Sequence, residues 1–147
     1  ILNIIENPNI SSVTLDVLSK AIKNKKVDGK YVISNVGYIE KRESLSQSAD
    51  LLLKLEGITV SLVIGIIDEH AYVSARSRDQ VLDIGKVITK AFSKMGSAGG
   101  HANFAAAKIS LGVFGYVEDK EILVRIVGDK ITSLFFRTLK LNSKGSI

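Results

Sequence analysis

The sequence predicts an α/β fold: a single domain with a mixed central β-sheet flanked by helices. Three observations carry that prediction. The run "ITVSLVIGII", residues 58–67, is almost continuously apolar, the pattern of a strand covered on both faces. Around it, stretches with helical apolar spacing alternate with β-branched and aromatic stretches of strand length. The chain has 147 residues and is 46% hydrophobic, enough for one domain with one core and no disulfides.

The elements follow in order. The only proline, Pro8 in "ENPN", marks a turn, and residues 1–11 read as a linker or the end of a preceding fragment. They carry neither a cationic signal-peptide start nor an initiator Met, so the chain reads as part of a longer protein. "SSVTLDVLSKAIKN" is a helix capped by Ser11 or Ser12, with Leu15, Leu18 and Ile22 on its apolar face. "NKKVDGK" is a basic loop with an Asp-Gly turn, and "YVISNVGYI" is a strand. "ESLSQSADLLLKLEG" is a helix with Ala49, Leu52 and Leu53 inward and Gly57 closing it. The apolar run 58–67 takes the centre of the sheet, and "DEH" turns it into an antiparallel partner, "AYVSARS". "DQVLDIGKVITKAFSKM" is a helix with Val81, Ile84, Ile88, Ala91 and Phe92 aligned and Asp79 as its cap. "KISLGVFGYV" is a weaker strand broken by glycines. "DKEILVRIVGDKITSLFFRTL" is a long helix with Leu123, Val127, Ile131 and Leu134 inward, and the polar tail 143–147 is expected to fray.

Composition narrows the function classes. Twenty Lys and Arg against fifteen Asp and Glu leave a net charge of +5, a moderate bias towards anionic partners. The absence of cysteine excludes a disulfide scaffold and any cysteine-ligated zinc. No apolar run is long enough to span a bilayer as a helix, and a cytoplasmic location fits.

One stretch is unusual: "GSAGGHANFAAAKI", residues 96–109. It places one of only two histidines behind paired glycines and ahead of a helix-like run of alanines. Gly99 and Gly100 before a helix would let backbone N–H groups approach an anion, and His101 in the first turn would donate to a phosphate oxygen. A plain glycine turn beside a surface histidine is the simpler alternative. A second segment supports the anion reading. "SARSR", residues 74–78, ends a strand, with Ser74, Arg76 and Arg78 on one face and Ala75 and Ser77 on the other. An arginine at a strand end reaches the crevice beside a helix N-terminus, and its planar fork suits phosphate. Arg78 reads more simply as a solvated charge paired with Asp79 or Asp83. Asp50 and Asn35 are candidate secondary contacts, with a solvated helix position the simpler reading of Asp50 and a strand-edge or turn position that of Asn35.

Together "VSARSR" and "DIGKVITKAFSKMGSAGGHANFAAAKI" resemble the DHH-associated substrate-binding domain of the DHH phosphoesterase superfamily. The family pattern is an S-x-R-S segment, a helix, then a G-G-G-H loop followed by small residues. Ala98 replaces the first loop glycine here, a variant associated with archaeal-type members. The resemblance runs over most of residues 12–112, and the domain itself is placed at 12–142. It implies a substrate-gripping C-terminal domain with Arg76, Ser77, Gly99, Gly100 and His101 on phosphate. It also implies an N-terminal DHH domain in cis that holds divalent metal, commonly manganese. This chain has no DHH motif and no convergent Asp/His ligand spacing, so it is expected to contribute no catalytic or metal residue and to bind without hydrolysing. The implied substrate is a short oligonucleotide, a cyclic dinucleotide or a related phosphate ester. The alternative is a non-catalytic RNA or single-stranded nucleic-acid module, of the kind found at the end of alanyl-tRNA synthetases. The basic segment near Lys25 is compatible with it, while the few aromatics read as core rather than as a stacking platform. A homodimer through "SLFFRTL" is a third reading, with core packing of Phe135 and Phe136 the simpler one.

Overall fold

A computed structural model describes residues 10–143. Residues 1–9 of the expected linker 1–11, and the end of the polar tail, 144–147, lie outside the described residues. Among the described residues four α-helices and six strands follow in order: α1 Ser12–Asn24, β1 Lys26–Asp28, β2 Tyr31–Tyr38, α2 Glu43–Leu52, β3 Val60–Ile67, β4 His70–Ser77, α3 Ile84–Phe92, β5 Gly96–Gly100, β6 Phe104–Ser110 and α4 Lys120–Ser143. The sheet order is β1-β2-β3-β4-β6-β5. Only β2 and β3 run parallel, joined through α2; every other neighbour is antiparallel. The α/β architecture with a mixed sheet is therefore as the sequence predicts.

The apolar run of β3 lies inside the sheet with Val60 to Ile66 buried. One face of the sheet packs on α3 and α4, burying Leu62, Ile64, Val73, Ala75, Ala105 and Ala107 with Ile84, Ile88, Phe92 and Phe135. The other face packs on α1 and α2 through Val32, Val36, Val63, Leu45, Ala49 and Leu52. These two helices lie over β2 and β3, and α2 reaches the near side of β4. Further out the same face is open: Phe104 is 45% exposed, and a Cβ built on Gly99 would meet nothing within 4 Å.

Helix starts follow local chemistry. Ser11 Oγ accepts the Thr14 N–H, Asp83 Oδ1 accepts the Lys86 N–H, and Asp119 Oδ1 accepts the N–H groups of Glu121 and Ile122. The cap of α3 is thus Asp83, not Asp79, and Val81 lies outside the helix, 96% exposed. In α1 the buried residues are Thr14, Val17, Leu18 and Ala21, whereas Leu15 and Ile22 face solvent. The helix approaches closely enough for Ser34 Oγ to donate to the Ala21 carbonyl at 2.7 Å, and for the Thr14 and Ser44 hydroxyls to meet at 3.1 Å. The small Thr14 and Ala21 join Val17 and Leu18 on the buried side, and Leu15 turns outward. Helix α2 ends at Leu52, so Gly57 closes a later turn rather than the helix. The basic loop contributes a short edge strand, β1, before its Asp28-Gly29 turn.

The largest departure is at residues 96–110. The glycine stretch is an edge strand and the alanine run is strand β6, not a helix. Burial along β6 alternates: Ala105, Ala107 and Ile109 are inward, Phe104 and Ser110 exposed, Ala106 and Lys108 half-buried. Alanine favours helix in isolation. Here pairing of β6 with both β4 and β5 prevails, and the small inward side chains let α3 lie against the sheet. Strand β6 ends at Ser110, and Gly112–Tyr116 is a 3₁₀ segment rather than strand.

Asn35 braces the sheet against α4. Its Nδ2 donates to the Val124 carbonyl at 2.9 Å, and its Oδ1 accepts the Gly37 N–H at 3.1 Å across a bulge in β2. Replacing Asn35 with alanine leaves both groups short of a partner, and a loss of about 1–3 kcal/mol is expected in urea unfolding. Asn24→Ala, which removes an exposed hydrogen bond to the Asn35 carbonyl, is the control and should cost under about 0.5 kcal/mol.

Candidate functional site

Strand pairing assembles the site. In the antiparallel β4–β6 pair, Arg76 stands directly opposite Phe104, so both side chains rise from the open face. The Arg76 guanidinium carbon lies 5.9 Å from the Phe104 ring centre. On the far side of the same ring, the His101 imidazole lies 4.7 Å away, tilted by 45°. Helix α2 closes the row: Asp50 Oδ1 accepts from Arg76 Nε at 2.8 Å, while Arg76 Nη1 donates to the Ala75 carbonyl at 2.9 Å. Asp50, Arg76, Phe104 and His101 therefore form one line across α2, β4, β6 and the β5–β6 turn.

The Arg76–Asp50 pair orients more than it stabilises. Asp50 is 60% exposed, and ion pairs of that kind contribute about 0–1 kcal/mol. With Nε and Nη1 engaged and the side chain 19% exposed, Nη2 and the second Nη1 hydrogen are the donors an anion would meet.

The turn that carries His101 is clamped. His101 N–H donates to the Phe104 carbonyl at 2.7 Å. The His101 carbonyl accepts the Gly85 N–H at 2.8 Å, and the Ala102 carbonyl accepts the Ile84 N–H at 3.0 Å. With Lys86 N–H on the Asp83 side chain and Val87 N–H on the Asp83 carbonyl, the first-turn donors of α3 are engaged. The helix N-terminus expected to cradle an anion behind the glycines is thus absent from that position, and the nearby one holds the turn instead. Behind the turn, an open groove of about 640 Å³ runs between it and α3, lined by Gly100, His101, Lys86 and Lys90.

Of the residues singled out from sequence, Arg76 and His101 come together around Phe104, and Gly99 faces the same open surface through its pairing with Ala106. Gly100 faces the α3 side. Ser77 is not brought to the row: it is buried on the opposite face, where its Oγ accepts the Asp79 N–H at 3.1 Å. Arg78 bonds the Ile58 carbonyl through Nε and Nη2, not Asp79 or Asp83. Asp79 instead pairs with Lys30 at 2.8 Å. That hydrogen bond holds the Asp79 carboxyl below its ordinary range and the Lys30 ammonium above its own. It ties the β1–β2 turn to the chain leaving β4. The basic segment around Lys25 lies at the β1 edge, the opposite edge of the sheet from the His101 turn.

One member of the row, Phe104, is not indicated by sequence reasoning, and Asp50 is offered there only as a secondary contact, with a solvated helix position the simpler reading. The signal for Phe104 is the two-residue alternation of "FAAAKI", hidden by its alanines. Asp50 needed the packing of α2 beside β4. Among the described residues no three His, Asp or Glu side chains converge as a metal site would need.

The family model for the DHHA1 domain matches residues 28–132, and the chain belongs to that family. It is 41% identical over 145 residues to an uncharacterized protein, MJ1633, of Methanocaldococcus jannaschii. The match covers 98% of this chain and 30% of that protein, so the chain spans about a third of its relative's length. Among solved structures, an exopolyphosphatase-related protein from Bacteroides fragilis superposes with a TM-score of 0.58 at 13% identity, over 88% of this chain and 37% of the other. The C-Ala domain of Aquifex aeolicus alanyl-tRNA synthetase superposes with a TM-score of 0.48 at 16% identity, over 73% of this chain and 96% of that domain.

Proposed function

We propose that the chain is the substrate-gripping domain of a metal-dependent DHH phosphoesterase, holding phosphate through Arg76 and His101. The observation that supports this reading is the Asp50–Arg76–Phe104–His101 row, which presents two phosphate donors on one open face. Gly99 keeps the strand beside them free of side chain. Water activation by divalent metal, with manganese the expected ion, is assigned to a DHH domain outside this chain, since no metal-fitting donor set is present among the described residues. The chain's own part is binding and orientation. Arg76 supplies a forked, permanent charge, and His101 supplies a donor whose ring is held against Phe104.

Calorimetric titration with the dinucleotide pApA at low salt tests this reading. Arg76→Ala is expected to weaken binding about 10- to 100-fold, as loss of a charge-assisted phosphate contact does. His101→Ala should weaken it by a smaller factor. Arg76→Lys should recover only part, because the charge returns without the fork. Unchanged affinity in Arg76→Ala and His101→Ala, with the fold intact, would reject the site. The alternative, a non-catalytic nucleic-acid module using the basic β1 edge, is favoured instead if Lys25→Ala and Lys26→Ala abolish binding while Arg76→Ala does not.

A further inference from the structure

We infer that Phe104 forms a nucleobase subsite beside the phosphate donors, so that the ligand is a nucleobase-bearing phosphate chain rather than a bare polyphosphate. This rests on the phosphate reading of Arg76 and His101. Phe104 is 45% exposed, although its strand neighbours Ala105 and Ala107 are buried. Its ring stands between the two groups assigned to phosphate, with His101 at 4.7 Å and Arg76 at 5.9 Å. A bare polyphosphate gains nothing from an aromatic ring placed between its cations. A nucleotide does: its phosphate and its flat base are recognised by a charge and a ring set side by side.

The neighbouring surface suits a flat ligand. One step down the strands, the paired Gly99 and Ala106 carry no atom beyond Cβ, so the floor beside Phe104 is low. A further step on, at four residues or about 13 Å along the strands from Phe104, lies a second row of the same make-up. There Tyr72 pairs with Lys108, and its ring is met by the Arg42 guanidinium at 4.7 Å and the Lys108 ammonium at 5.9 Å. The two cation–aromatic rows flank a smooth strip long enough for an extended short single strand, with one phosphate held at each end.

Three probes separate the possibilities: pApA, the same dinucleotide with abasic sugars, and inorganic tripolyphosphate. The wild-type chain is expected to bind pApA more tightly than its abasic counterpart. Phe104→Leu, which keeps an apolar side chain of comparable reach, should erase that preference by weakening pApA about tenfold or more. It should weaken the abasic dinucleotide and tripolyphosphate by a clearly smaller factor, through the loss of the ring that His101 rests on, and Phe104→Trp should preserve the preference. Equal wild-type affinity for pApA and the abasic form, or an equal loss for both in Phe104→Leu, would overturn the base subsite while leaving the phosphate site standing. Tripolyphosphate binding unaffected by Arg76→Ala would remove the phosphate site and the inference with it, as would no binding of any probe.

Discussion

Gly85→Ala is expected to cut affinity for a phosphate ligand by about tenfold or more, although residue 85 touches no ligand on the proposed face. Gly85 is the second residue of α3, and its N–H holds the His101 carbonyl. A Cβ there would stand 2.7 Å from the His101 carbonyl oxygen, 2.8 Å from the Gly100 carbonyl carbon and 2.9 Å from the His101 nitrogen. All three are backbone atoms, so no side chain can swing aside. The turn must move off the helix, which breaks the Gly85–His101 hydrogen bond and strains the adjoining Ile84–Ala102 one. His101 then leaves the Phe104 ring. Overpacking of this kind costs about 1–3 kcal/mol. Better helix propensity of alanine returns up to about 1 kcal/mol, so the net loss of stability should be modest. A small fall in melting temperature, shifted amide resonances at His101 and Ala102, and a large fall in affinity form the expected set. Wild-type affinity with those resonances unmoved would show that the clamp does not position His101.

The contrast between what was and was not legible in the sequence has a common cause. The centre of the sheet was readable because β3 carries bulky β-branched and apolar side chains that have few other places to go, and β4 follows it across a short turn. The helices were readable from periodic leucine, isoleucine and valine. Misreading concentrates where side chains are small. In α1, Thr14 and Ala21 are buried while Leu15 and Ile22 are exposed, because close approach to α2 and β2 selects for size rather than hydrophobicity. In β5 and β6, glycine and alanine carry almost no pattern, and strand identity comes from pairing on both sides and from α3 above.

The site divides along the same line. Arg76 was legible because strand alternation alone sets its face. That alternation also put Ser77 on the opposite face; only family resemblance placed it on phosphate, and the structure gives its hydroxyl to the Asp79 N–H. His101 was legible by rarity, but its mechanical setting was not. A helix thought to follow it is in fact the helix before it, reaching back to hold it. Phe104 became visible only once its strand was paired with β4, since one residue's shift in register would turn its ring to the buried face.

The two adjacent glycines should separate cleanly by experiment, with Gly100→Ala expected to cost about 2–3 kcal/mol of stability and Gly99→Ala almost none. A Cβ on Gly100 would collide with the Phe104 carbonyl oxygen, and it would lie 2.5 Å from Ala105 Cα and 2.6 Å from Ala105 Cβ. Gly100 pairs with Ala105 at the mouth of the hairpin, so the collision forces β5 and β6 apart where His101 N–H bonds the Phe104 carbonyl. A fall in melting temperature of several degrees should accompany lost binding. At Gly99 the corresponding space is empty, so the fold should tolerate the methyl group within about 0.5 kcal/mol. Its methyl would instead rise from the strip beside Phe104, where the ligand is proposed to lie, and weaken binding with no change in melting temperature. Binding unaffected by Gly99→Ala would place the ligand off that strip, towards Arg76 and away from the edge strand. Equal destabilisation by the two substitutions would show that β5 is held differently from the pairing of Gly99 with Ala106 and Gly100 with Ala105.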